Sequence, residues 1–223
     1  MTKGLAAVVF DLDGVITDTA EFHYRGWQQL ADELGVPFDR HANERLRGLS
    51  RLDSLLAIVE GSGLTYTEAD LKAWTERKNR YYLDLVKTIS PKDILPGARE
   101  LLNECRGAGL KTAIASASKN APEVLERLGL GSLFDAVAHG GMVARGKPDP
   151  EIFICAARLL GVSPERCVGV EDSAAGVESI RGAGMVAVGL GNPELLSRAE
   201  RVFPSLKGLN LHALRAVYQE HRG

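Results

Sequence analysis

Two carboxylates one residue apart, Asp11 and Asp13, stand where a short apolar run ends, and a second acidic pair, Glu171 and Asp172, stands after another such run. Ser116, Ser118, Lys119 and Asn120 follow a third, and Lys147 sits in the loop after a fourth. Hard oxygen donors collected this way suit Mg²⁺, which keeps several waters and takes one or two carboxylates beside a substrate phosphate; zinc would want His or Cys. Lys147 and the donors of 116–120 suit a phosphoryl group, and a helix beginning near residue 120 would add its unpaired amides. An aspartate beside a metal and a phosphate clamp can serve as a nucleophile that carries the phosphoryl group, and Asp11 or Asp13 is the candidate. Singly, each residue has a plainer reading. A carboxylate or serine after a strand commonly caps the next helix, as Ser173 is expected to, and Lys147 ahead of Pro148 reads as a solvated loop lysine. Their coincidence at four successive strand ends is what points to chemistry, because ligands of an open parallel sheet bind beyond the carboxyl ends of its strands.

The elements that must produce this convergence are legible in the hydrophobic pattern. Leu5–Phe10 is short, apolar and β-branched in its second half, as a buried strand is, and Asp11-Leu-Asp-Gly14 stops it. From about Asp18 the rhythm turns helical: Asp18 and Glu21 are spaced as a capping box, and Trp27, Leu30, Ala31 and Leu34 recur on one face before Gly35. Further helices are predicted over 51–59 and 68–86, and nothing within 18–90 reads as a central strand. After Pro96 the spacing predicts helices near 97–108, 121–128, 150–160, 174–182 and 193–199. They alternate with strands near 111–115, 135–138, 167–170 and 185–188. This alternation predicts an α/β protein, a Rossmann-like doubly wound parallel sheet with an inserted α-helical cap. The core is expected to comprise residues 1–16 and 91–223, and the cap residues 17–90.

Composition narrows the function further. In 223 residues, 27 Lys and Arg against 29 Asp and Glu leave a net charge of −2, so no overall basic field exists to recruit nucleic acid or a membrane surface. Aromatic residues make up only 6%, with no basic stripe around Trp27 or Trp74, so both read as cap packing and not as a base-stacking platform. The apolar run Leu5–Phe10 is far too short for a membrane span or a signal-peptide core, so the mature chain is expected to begin at Met1. Cys105, Cys155 and Cys167 are widely spaced and contain no CxxC pair, which predicts free thiols in a reducing cytoplasm. Gly141-Met-Val-Ala-Arg-Gly-Lys147 imitates the first part of a P-loop, but Pro148 stands where a metal-binding hydroxyl belongs. Gly189-Leu-Gly191 lacks the third glycine of a dinucleotide fingerprint. His41, His139, His212 and His221 share no metal spacing. A monomer is expected, since the chain shows no zipper.

At this point the residues resemble a known family. Asp11-Leu-Asp-Gly-Val15 resembles the first motif of the haloacid dehalogenase superfamily, Ser116 the second, Lys147-Pro148 the third and Glu171-Asp172 the fourth, in the family order and over most of the chain. Residues 11–19, His23, Gly48-Leu-Ser-Arg51, Arg77-Lys-Asn79, Ser116-Ala-Ser-Lys-Asn120 and Gly169-Val-Glu-Asp-Ser173 are more closely similar to that superfamily's sugar-phosphate mutases. The resemblance implies that Asp11 is the nucleophile and Asp13 the general acid and base, with Mg²⁺ on Asp11, the main-chain carbonyl of Asp13 and Asp172, and Glu171 near its shell. It implies that Ser116 and Lys147 hold the transferring phosphoryl group, and that Ser118, Lys119 and Asn120, with Ala117 between them, hold the sugar phosphate. Arg51 would grip the distal phosphate from the cap, near Trp27. Thr19, His23 and Lys78 would report cap closure to Asp13. The implied cycle converts β-glucose 1-phosphate to glucose 6-phosphate through an aspartyl phosphate and β-glucose 1,6-bisphosphate, the latter an activating intermediate. The alternatives are a phosphatase of the same superfamily acting on a small sugar phosphate, and, from another class, a non-catalytic sugar-phosphate-binding protein.

Overall fold

Continuous apolar runs of four to six residues cannot leave a face in water, and in the computed structural model they are stacked side by side in the middle of the molecule. The structure describes residues 4–46 and 48–222. Met1 to Lys3, which open the expected core segment, together with Arg47 and Gly223, lie outside the described residues. The strands are β1 (Ala7–Phe10), β2 (Lys111–Ser116), β3 (Ala136–His139), β4 (Cys167–Glu171), β5 (Val186–Leu190) and β6 (Arg201–Phe203). All pair in parallel in the order β3-β2-β1-β4-β5-β6. The doubly wound α/β architecture read from the sequence is borne out.

Helices α1 (Ala20–Leu34), α2 (Arg40–Glu44), α3 (Arg51–Val59) and α4 (Glu68–Val86) follow β1 in succession, with no strand among the described residues between them. Their apolar faces make a core of their own around Trp27, Leu30, Leu55 and Val59. α5 (Ala98–Gly107), α6 (Ala121–Arg127), α7 (Glu151–Leu160), α8 (Ala174–Gly182) and α9 (Leu211–Arg222) cover the sheet. α5, α6 and α9 pack on the face presenting Val8, Phe10 and Ile114, and α7 and α8 on the face presenting Ala7, Val9 and Ala113, as the two-residue period of a strand requires. The chain leaves the sheet region and returns to it at one place. Thr17 bridges both Asp13 and Ile94, its hydroxyl donates to the Asp93 carbonyl at 2.8 Å, and Leu95 N–H donates to the Ile16 carbonyl at 2.9 Å.

Several local expectations are corrected. Asp18 and Glu21 form no capping box: α1 begins at Ala20, Asp18 accepts from the Ala20 N–H, and Glu21 turns instead to Arg25 and Arg40. No helix forms over 193–199. Leu196 N–H donates to the Asn192 carbonyl for a single turn, and the chain then straightens to add β6 to the sheet edge. β6, α2 and α9 were not expected from the sequence. The three cysteines are buried free thiols.

Candidate active site

β1 lies between β2 and β4, so the strand order reverses around it and the carboxyl ends of these three strands open onto a common crevice. Asp11 follows β1, Ser116 ends β2, and Glu171 ends β4. Lys147, from the loop after β3, reaches in and is 1% exposed at its side chain. Its ammonium donates to Asp11 Oδ1 at 2.8 Å and to Glu171 Oε2 at 2.7 Å. Burial works against the Lys147 charge, but Asp11 and Glu171 outweigh it and hold its pKa above the ordinary lysine value. Burial, then the Glu171 charge, push the Asp11 carboxyl up to about 7 despite Lys147. Glu171 is fixed from behind, accepting from Ser173 N–H and from the Ser173 hydroxyl at 2.8 Å, while Ser173 caps α8 as expected by accepting from Gly176 N–H. Gly176 must be glycine here, because a Cβ would overlap the Glu171 carboxylate.

Asp11, Glu171 and Asp172 bring one carboxylate oxygen each to within 4.8 Å of one another. The donor set is all oxygen, anionic and free of His and Cys, which fits Mg²⁺ and not zinc. Asp13 adds no carboxylate to this group. Its Oδ1 instead accepts from the Thr19 hydroxyl, and its Oδ2 lies 4.0 Å from His23 Nε2. Burial, then the neighbouring Asp11 charge, push the Asp13 carboxyl up to about 8. Such a group can both give and take a proton near neutrality.

The helices stand over the crevice and leave a cavity of about 380 Å³ open to solvent on one side. Asp11, Asp13, Lys147, Asp172, Ala117, Ser118 and Lys119 line it from the sheet side, and His23, Trp27, Arg51 and Lys78 from the helical side. Lys78 is almost wholly buried, 2.7 Å from His23 Nδ1 and 4.6 Å above the Trp27 ring. Burial, then Arg51, hold its pKa well below the lysine value, and burial, then Lys78, do the same for His23. Arg51 opens α3 behind Ser50, whose hydroxyl caps the helix, and has no carboxylate partner among the described residues. Four predicted site residues stand behind the wall. Thr19 and Glu171 are buried, Ser116 accepts from Ser118 N–H, and Asn120 donates its side-chain amide to Asn79 Oδ1 at 2.8 Å. Sequence reasoning missed Tyr82, which is wholly buried against His23 at 4.1 Å between ring centroids, and missed the partnership of Asn79.

The family described as haloacid dehalogenase-like hydrolase matches residues 5–184, and the chain belongs to it. Over nearly its whole length the chain is also similar to particular enzymes. It is 42% identical to β-phosphoglucomutase of Bacillus subtilis, over 98% of this chain and 97% of that one. The crystal structure of β-phosphoglucomutase from Clostridium difficile superposes with a TM-score of 0.95 at 41% identity, covering 97% of this chain and 98% of the other. A phosphorylated carbohydrates phosphatase of Thermotoga maritima is 33% identical over 81% of this chain and 82% of its own. The resemblance carried by the four motifs is borne out, and with it the expectation of an enzyme. No helix among the described residues is long and apolar enough to cross a membrane.

Proposed function

We propose that the protein is a β-phosphoglucomutase, interconverting β-glucose 1-phosphate and glucose 6-phosphate with Mg²⁺ held by Asp11, Asp172 and the Asp13 main chain, beside Glu171. The metal supplies charge neutralisation for the phosphoryl oxygens. Asp11 carries the phosphoryl group as an aspartyl phosphate. In the first half of the cycle the sugar C6 hydroxyl oxygen bonds to phosphorus, the bond to Asp11 breaks, and the hydroxyl proton passes to Asp13. The β-glucose 1,6-bisphosphate turns end for end. Its C1 phosphoryl group then moves to Asp11, and Asp13 returns the proton to the C1 oxygen. Lys147, already on Asp11 Oδ1, holds the phosphoryl group in transit, with Ser118 and Lys119 beside it, while Ser116 and Asn120 order the turn from behind the wall, Ser116 by accepting from Ser118 N–H.

The observation that carries this reading is the division of the cavity lining: Asp11 and Lys147 come from the sheet side, and the helices add Arg51, a cation without a carboxylate partner among the described residues. One phosphate is served by one such cation; a bisphosphate needs a second. The same helical roof brings Thr19 and His23 to Asp13, which suits an acid and base that works only when a sugar fills the site and water is kept out. The buried free thiols accord with a reducing cytoplasm.

The test supplies Mg²⁺, β-glucose 1-phosphate and a trace of the 1,6-bisphosphate, and measures glucose 6-phosphate and inorganic phosphate together. Glucose 6-phosphate in large excess is expected, and Asp11→Asn should lose it by about a thousandfold or more. Dominant inorganic phosphate would make the protein a sugar phosphatase instead.

A further inference from the structure

α4 makes three contacts with α1, its N-cap and the turn after β2. Lys78 meets His23, Asn79 accepts from the Asn120 side chain, and Tyr82, one turn on, places its hydroxyl 3.4 Å from Thr19 Oγ1. Counting hydrogens orders this cluster. The Thr19 hydroxyl gives its one hydrogen to Asp13 Oδ1, so Tyr82 donates to Thr19. In the turn after β2 the Ser118 oxygen accepts from Asn120 N–H at 3.2 Å. α4 therefore touches two parts of the site at once: through Asn79 it holds Asn120 of the turn after β2, and through the buried Tyr82 it reaches Thr19, which holds the acid and base after β1.

We propose that Tyr82 and Asn79 are positioning residues through which the seating of α4 sets the 116–120 turn and Asp13 together. This rests on the mutase reading, since a mutase must align its sugar-phosphate donors and its acid and base at one moment, whereas water needs no such alignment. Displacing α4 breaks the Asn120 contact and the Thr19 contact in one movement. Hydrolysis of the aspartyl phosphate is then no longer outrun by transfer to sugar.

Tyr82→Phe removes only the hydroxyl and keeps the ring against His23 and beneath Lys78, so the fold is expected to hold. Asn79→Ala, at a half-buried position, is the second variant. For each, glucose 6-phosphate and inorganic phosphate are followed over a range of β-glucose 1-phosphate concentrations, with the thermal transition recorded alongside. Both variants should keep the parent's transition, raise KM, and raise the ratio of inorganic phosphate to glucose 6-phosphate by about fivefold to tenfold, the size of one buried hydrogen bond lost. Parent-like KM and ratio in both variants, with the parent making glucose 6-phosphate, would overturn the proposal and leave the mutase reading standing. If the parent releases only inorganic phosphate, the mutase reading fails. A raised KM for total product in both variants would still establish the coupling, and an unchanged KM would remove it.

Discussion

Lys147 carries the heaviest duty of any single side chain in the molecule. It is wholly buried and is the shared partner of two carboxylates, Asp11 and Glu171, that would otherwise repel each other at the end of adjacent strands. Removing one member of a buried charge cluster leaves the others uncompensated, which costs more than the cluster contributes when intact. Lys147→Met, close in volume, is expected to lower stability by about 3–5 kcal/mol in metal-free buffer. Urea unfolding with and without Mg²⁺ checks this, because a divalent cation beside Asp11 and Glu171 should restore part of the loss while turnover stays abolished. A loss below about 1 kcal/mol would mean that the two carboxylates are already neutral without Lys147. The groups gathered at the crevice were legible in the sequence for a physical reason: each alone reads as a cap or loop residue, but polar groups at four successive strand ends of one parallel sheet must meet beyond its carboxyl edge. Tyr82 and Asn79 were not, because an aromatic residue and an amide at helical spacing read as packing and solvation, and only their placement opposite Thr19 and Asn120 gives them a role.

Among the elements, α1 and α2 are joined by a clasp that local pattern alone assigned wrongly. Glu21 has the spacing of a capping-box member, but two arginines compete for it: Arg25 one turn along α1, and Arg40, whose fork meets both carboxylate oxygens at 2.8 and 3.1 Å. Two charged partners outbid a single backbone amide, and their hydrogen bonds, Arg40's foremost, hold the Glu21 pKa down to about 2. A carboxyl depressed on folding contributes stability that is complete above its unfolded pKa near 4.5 and is lost as pH falls toward 2. Glu21→Gln is therefore expected to lower the thermal transition slightly at pH 7. The gap to the parent should stay constant down to about pH 4.5 and close below it. A gap that does not move with pH would assign the effect to packing and not to the ion pairs. Elements with a strong internal period, such as α4 and β4, were readable from the chain to within a residue or two. β6 was not, because three residues carry no period and Arg201–Phe203 becomes a strand only by pairing with β5. α9 does carry a local signal, Asn210 accepting from Ala213 N–H ahead of the helical spacing of Leu211, Leu214 and Val217.

For the whole molecule, the question is why a reactive site is divided between two bodies of structure. The sheet alone brings Asp11, Lys147 and the acidic cluster together, which on the proposed function is enough to accept a phosphoryl group from any small donor that reaches Asp11. The helical block adds Arg51 to the cavity lining; burial lowers its pKa, and it has no carboxylate partner among the described residues. On the proposed function the two parts do different work: the sheet side would determine whether phosphoryl transfer occurs at all, and Arg51 whether a doubly phosphorylated sugar is held tightly enough to turn over before water intervenes. Arg51→Ala separates the two. It should weaken use of the 1,6-bisphosphate by roughly 10- to 100-fold, the scale of one charge-assisted hydrogen-bonded pair, while phosphorylation of Asp11 by acetyl phosphate, which has no second phosphate, changes less than about threefold. Measured side by side as kcat/KM, unequal losses would place the distal phosphate on Arg51. Equal losses would mean that Arg51 acts through the seating of the helices on the sheet, as Tyr82 and Asn79 do, and that the far phosphate is held by another group of the cavity wall.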